Sequence, residues 1–172
     1  MRILLYGYGN PSRQDDALGI RVVEGIEEWA KEKGIDFISV DSNYQLNLED
    51  AANIIGFDIV IFADASVEED FTGFKLTRLD PATAKIGFST HSVSPAYVTE
   101  LCASITDKVP EAFMLHLKGY EWDMKEELTE IGAETLENAL THLKERLLEI
   151  NKLLEVDPPE DLIARCSDLL LS

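Results

Sequence analysis

The stretch Asp58-Ile-Val-Ile-Phe-Ala-Asp64 sets five consecutive apolar residues between two carboxylates. The run has strand length rather than helix length, and its lack of alternation predicts a strand covered on both faces, as in a parallel sheet. Ile3 to Tyr6 is a second short apolar run, and it stops at Gly7-Tyr8-Gly9-Asn10, a strand ending in a turn. Between these two runs, Ala17 to Ala30 places Leu18, Val22, Ile26 and Trp29 at helical spacing, with Arg21, Glu24, Glu27 and Glu28 on the other face. Gly34 then supplies a turn, the alternation over Ile35 to Val40 predicts another strand, and residues 46–55 suit a short helix. Downstream, Phe71 to Leu79 reads as an added strand, Ser94 to Thr106 as a helix with Pro95 in its first turn, and Glu111 to Leu117 as a further strand. Thr129 to Ile150 is a long amphipathic helix with Leu136, Leu140, Leu143 and Leu147 on one side. Pro158-Pro159 breaks it, and residues 160–171 can form a last short helix. Strands alternating with helices predict an α/β three-layer sandwich, a mostly parallel twisted sheet with helices on both faces. The expected organisation is a single domain over residues 1–172 with a C-terminal helical extension from about residue 148.

The chain has 172 residues with 15 Lys+Arg against 33 Asp+Glu, a formal charge of −18. At a typical ~150 residues per domain this is one domain with enough chain to bury a core, and the 45% hydrophobic content supplies the material. The acidity is therefore mostly on the surface. Such a surface argues against binding a phosphate backbone, which needs Lys and Arg to displace counterions, and against docking on anionic lipid. Residues 121–172 hold 14 acidic against 5 basic residues, half of the excess in under a third of the chain. That stretch is either a solvated face or a field that steers a basic patch on a partner, and steering weakens with salt. The opening MRILLYGYGN breaks at Gly7, too soon for a signal-peptide core, and no run approaches the ~20 apolar residues of a membrane span. A cytoplasmic protein is expected. Cys102 and Cys166 lie far apart and outside any zinc-site spacing, so both read as packed thiols.

In folds of this class, ligands sit beyond the carboxyl ends of the strands, so the residues after Tyr6, near Asp64 and before Ser94 converge on one edge. Gly7-Tyr8-Gly9 begins like a dinucleotide fingerprint, but Ser12 stands where the third glycine belongs, and Asp15 and Asp16 would repel a pyrophosphate. Taken singly, Asp15 or Asp16 in a first helical turn is an ordinary cap, Asp64 a loop cap, and His91 a surface histidine. Taken together, Asp16, Asp64 and His91 bring two carboxylates and an imidazole from three loops to one edge. Such a mixed oxygen and nitrogen set suits a divalent transition metal with open positions for water or substrate. His116, within a strand-like run, and His142, on the long helix, are weaker candidates.

These motifs, Gly7-x-Gly-Asn10-x4-Asp15-Asp16-x2-Gly19, Val60-Ile-Phe-Ala-Asp64-Ala and His91-Ser-Val-Ser-Pro95, resemble the maturation endopeptidases of nickel-iron hydrogenases in order and spacing. The resemblance runs from Met1 to about Leu147. Tyr44-Gln45-Leu46 followed by Glu49 further resembles the branch with a Gln-Leu element in place of a double glycine. The resemblance implies removal of a short C-terminal peptide from the precursor of the hydrogenase large subunit after nickel has been inserted. By position, Asp16, Asp64 and His91 match the three residues held to bind metal and to carry the catalysis. The metal implied is the nickel already seated in the substrate, and the enzyme is expected to hold no permanent catalytic metal. Contact with nickel would check that the substrate is loaded and hold the scissile bond near a metal-polarised carbonyl or an activated water. Gly9, Asn10, Asp15 and Gly19 read as loop geometry, with Asn10 and Asp15 as supporting hydrogen-bonding groups. The partner implied is the large-subunit precursor, met by a monomeric enzyme.

The chain departs from the family near Gly119-Tyr-Glu-Trp122, where a customary proline is missing, and in the extension with Pro158-Pro159 and Leu169-Leu170-Leu171. Two other readings exist. One is a non-catalytic module that binds the nickel-loaded precursor. The other follows from Gly9-Asn10-Pro11, a turn shared with peptidyl-tRNA hydrolases, but those need a histidine soon after the turn and a basic RNA-binding face. Here the first histidine is His91 and the charge is −18.

Overall fold

The computed structural model describes residues 1–80, 93–156 and 160–172. At its centre runs β3 (Ile59–Ser66), flanked on one side by β1 (Ile3–Tyr8) and then β2 (Ile38–Asn43), and on the other by β5 (Glu111–Lys118) and then β4 (Phe74–Arg78). The sheet order among the described residues is β2-β1-β3-β5-β4. Every pairing is parallel except that of the edge strand β4, which runs antiparallel to β5. Alternate residues of β3 enter two separate apolar layers. Ile59, Ile61 and Ala63 meet Leu18, Val22 and Ile26 of α1 (Leu18–Lys33), Leu140, Leu143 and Leu147 of α4 (Glu130–Glu155), and Cys166 and Leu170 of α5 (Leu162–Leu171). Val60 and Phe62 join Tyr6, Met114, Ile54, and Val98 and Cys102 of α3 (Pro95–Ile105) in the other layer, where the one-turn α2 (Asp50–Asn53) also packs. The uniform hydrophobicity of residues 59–63 follows from this double coverage.

The expected α/β sandwich with a mostly parallel sheet is the observed architecture, with local shifts. Strand β2 begins at Ile38, three residues later than the alternation indicates, because Gly34 closes α1 in the left-handed conformation (φ 65°). The Ile35 N–H then bonds back to the Ala30 carbonyl at 2.9 Å, so the chain is still leaving the helix at Ile35. The helix expected within residues 46–55 is a single turn. Ser94 caps α3 by accepting from the Tyr97 N–H at 3.2 Å, with Pro95 at the first helical position as expected. Thr129 caps α4 by accepting from the Gly132 N–H at 2.9 Å.

Helix α4 runs on to Glu155, and α5 returns along the same apolar layer with Cys166 and Leu170 fully buried. Burying each such side chain is worth roughly 1.5–3 kcal/mol for a leucine, so the C-terminal extension is integrated into the core. Both cysteines are buried and free. No helix of the described residues is long and apolar enough to cross a membrane.

Candidate functional site

The carboxyl ends of β1 and β3 meet the start of α1 at very short range. A side chain at Gly19 would collide with the backbone carbonyls of Ala63 and Tyr8, and Gly9 takes a φ of 139° with the Asp16 carbonyl against it. Only glycine permits this contact. It draws the 3-10 turn Gln14–Ala17, which precedes α1, onto the end of β3. Asn10 shapes the turn, its side-chain oxygen accepting from the Ser12 N–H at 2.9 Å, while its own N–H donates to the Asp16 carboxylate at 3.1 Å.

Asp16 is thereby placed beside Asp64, the half-buried carboxylate near the end of β3. Burial first, and the Asp16 charge second, push the Asp64 carboxyl up to about 7, with a hydrogen bond from the Ala65 backbone opposing them. Two partly buried carboxylates at one edge repel, and a cation between them would remove that repulsion. The pair lines a cleft of about 550 Å³ with Arg13, Ala65, Ser66, Val67, Glu68 and Trp122. Two carboxylates at this edge could hold a divalent metal, with positions left open for other groups.

No family model and no curated protein sequence matches the chain. Solved structures do. The hydrogenase maturating endopeptidase HybD from E. coli superimposes with a TM-score of 0.67 at 25% identity, covering 87% of this chain and 93% of that one. The [NiFe] hydrogenase maturation protease HycI from Thermococcus kodakarensis KOD1 gives 0.66 at 23% identity, over 84% of this chain and 90% of that one. The chain has the hydrogenase maturation protease fold. The maturation protease HybD from Thermococcus kodakarensis gives 0.61 at 17% identity, over 84% and 98% of the two chains.

Within this fold two of the three sequence-predicted site residues fall among the described residues. Asp16 and Asp64 come together, and His91 lies outside the described residues. Among the described residues no three His, Cys, Asp or Glu side chains are grouped to hold a metal. His116 is the register partner of Asp64 on β5, but its Nε2 lies 3.2 Å from the Thr77 hydroxyl and its ring meets the edge of Phe71. Burial, then the Lys75 charge, push its pKa down. The His142 ring packs 5.3 Å from that of Phe74.

Asp15, adjacent to Asp16, points the other way and is fully buried. Its carboxylate accepts from the N–H groups of Tyr120 (2.9 Å), Glu121 (3.4 Å) and Thr129 (2.9 Å) and from the Thr129 hydroxyl (2.8 Å). Gln14 reinforces the latch: its N–H donates to the Lys125 carbonyl at 2.7 Å and its side-chain oxygen accepts from the Asp123 N–H at 3.0 Å. Gln14 has a φ of 43°, a left-handed conformation that these bonds hold in place. Together they fix residues 120–129 so that Trp122 walls the cleft, with the Arg13 Nε donating to the Trp122 carbonyl at 3.1 Å. Trp122, which lines the cleft, and Gln14, which holds the loop carrying it, are residues that the sequence reading passed over.

Proposed function

We propose that this chain is an endopeptidase that removes the C-terminal peptide from the nickel-loaded precursor of a nickel-iron hydrogenase large subunit. The observation that carries the reading is the Asp16–Asp64 pair, held at the carboxyl edge of a maturation protease fold in a cleft open to a protein substrate. In this reading the nickel belongs to the substrate. Asp16 and Asp64, with His91, contact it, and the mutual repulsion of the two carboxylates makes the site select a loaded precursor over an empty one. Hydrolysis adds a water oxygen to the scissile carbonyl carbon, breaks the C–N bond and delivers a water proton to the departing amine. The substrate's nickel supplies polarisation of that carbonyl or activation of that water.

The test is incubation with a cognate precursor with and without nickel, read by mass spectrometry. Loss of the C-terminal peptide only from the loaded precursor, abolished by Asp16→Asn and by Asp64→Asn, is the expected result. Retained binding without loss of mass makes the chain a recognition module instead. Cleavage by the Asp variants at the wild-type rate removes the assigned site.

A further inference from the structure

Arg13 is the one cationic residue among the described residues that line the Asp16–Asp64 cleft, and Glu68 lines it as a third carboxylate. An arginine in such company ordinarily pairs with the acids. Here none of the ion pairs among the described residues includes Arg13. Glu68 pairs with Lys75 at 2.8 Å, and Asp16 accepts from the Asn10 N–H. The exposed Arg13 side chain makes one bond among the described residues, from Nε to the Trp122 carbonyl at 3.1 Å. That bond leaves the N–H groups on both Nη atoms unspent. The backbone beneath it is fixed on both sides. The Arg13 N–H donates to the Asn10 carbonyl at 3.1 Å, its carbonyl accepts from the Asp16 N–H at 3.1 Å, and the next residue is Gln14, held left-handed by the latch. A cation anchored to a carbonyl and kept off the acids leaves charges of opposite sign apart in one open cleft. Such a cleft suits a ligand that brings a cation to the acids and a negatively charged oxygen to the guanidinium.

We propose that Arg13 is a further catalytic residue, its Nη groups donating to the carbonyl oxygen of the scissile peptide as that oxygen gains negative charge. The inference rests on the endopeptidase reading above, in which the cation brought to the acids is the substrate's nickel. Negative charge developing in a cleft lined by carboxylates needs a positive charge close by, and Arg13 is the described side chain that carries one there. When the water oxygen adds to the carbonyl carbon, the π pair moves onto the oxygen and the guanidinium stabilises it there without giving up a proton. When the C–N bond breaks, the pair returns to the carbonyl and one water proton goes to the amine. The other water proton leaves to solvent as the new C-terminus ionises, and the resulting carboxylate matches the guanidinium fork.

Arg13→Gln keeps most of the stem without the charge, and Arg13→Ala leaves room for a free guanidinium ion. Cleavage of nickel-loaded precursor is measured at varied precursor concentration, with kcat normalised to the folded fraction from circular dichroism. The expected result for both variants is a kcat lower by about 100-fold, the cost of losing one oxyanion donor, with KM unchanged. Guanidinium chloride, far below unfolding concentrations, is expected to restore part of the kcat of Arg13→Ala, and an equal concentration of sodium chloride is not. A brace for the Trp122 loop alone would not respond to the free ion. A kcat within about threefold of wild type in either variant overturns the role of Arg13 while leaving the endopeptidase reading intact. So does a rise in KM alone, or a loss that guanidinium leaves unrestored. Absence of cleavage by the wild-type chain overturns both.

Discussion

Replacing Asp15 by alanine would strip four donors of their shared acceptor at once. The carboxylate is fully buried, and three of its four bonds, to the Thr129 hydroxyl and the Tyr120 and Thr129 N–H groups, are 2.8–2.9 Å long. Each charged hydrogen bond is worth about 1.5–3 kcal/mol in isolation. The bonds belong to one network and do not add, so the loss is set by the roughly 3–5 kcal/mol typical of removing one partner from a buried charged cluster. For 172 residues, an unfolding entropy of about 2.1 cal/mol/K per residue converts this to a thermal midpoint lower by about 8–14 °C. Asp15→Asn, which keeps one acceptor oxygen but turns an NH2 toward the remaining donors, should lose about half as much. Circular dichroism melts give the midpoint. Trp122 emission in a Trp29→Phe background reports the loop itself, and a red shift is expected as the latch opens. A midpoint for Asp15→Ala lowered by less than about 3 °C with unchanged Trp122 emission would refute the latch.

The Asp64 carboxyl, raised to about 7 by burial and by Asp16, binds its proton more tightly folded than unfolded, so its contribution favours folding below about pH 4 and is lost as pH rises through 7. At about 1.4 kcal/mol per factor of ten in proton affinity the penalty at pH 8 is on the order of a few kcal/mol. Asp64→Asn should therefore flatten the fall in thermal midpoint between pH 5 and 8, and a slope equal to wild type would contradict the placement. Asp58 behaves in the opposite sense. Its burial raises the carboxyl, but Lys108 (2.7 Å) and the Arg2 N–H (2.7 Å) more than offset this and hold it low. Asp58→Asn should cost about 1–2 kcal/mol at pH 7, a difference that disappears as pH falls through the lowered value of the native carboxyl, as urea titrations at pH 7 and pH 2.5 would show. In α5, Leu170 is fully buried and Leu171 is 42% exposed. Leu170→Ala should cost about 2–5 kcal/mol in urea unfolding and Leu171→Ala under about 0.5 kcal/mol, whereas equal effects would mean that α5 does not dock as described.

What was legible in the sequence is what burial writes locally. Ile59 to Ala63 reads as a central parallel strand because both faces are covered, and the placement of Asp64 at the carboxyl edge of the sheet follows from strand direction alone. The start of β2 was not legible, because alternation over Ile35 to Val40 marks a half-buried stretch without saying where pairing with β1 begins, and the back-bond from Ile35 to Ala30 decides that. The brevity of α2 has a similar origin. Asp50 accepts from the Asn47 N–H (2.7 Å) and the Asn53 side chain (3.0 Å), a local turn that competes with helix. Least legible was the 120–129 loop, whose bonds to Gln14 and Asp15 span more than a hundred residues.

Asp15 and Asp16 show why a motif identifies a site more readily than it assigns roles within it. Successive residues of a tight turn point in different directions, so one acid faces inward to four donors while its neighbour faces the cleft with one bond among the described residues, from the Asn10 N–H. The satisfied carboxylate stabilises the fold and has no free capacity for a ligand. The other keeps most of its acceptor capacity open and raises the energy of Asp64, a local cost that a bound cation would relieve. Stability effects of opposite sign are therefore expected at adjacent positions: Asp15→Asn lowers the thermal midpoint, and Asp16→Asn raises it above pH 7 by removing the repulsion. If Asp16→Asn instead lowers the midpoint at pH 8, the two carboxylates do not oppose one another across the cleft, and a cation there has no repulsion to relieve.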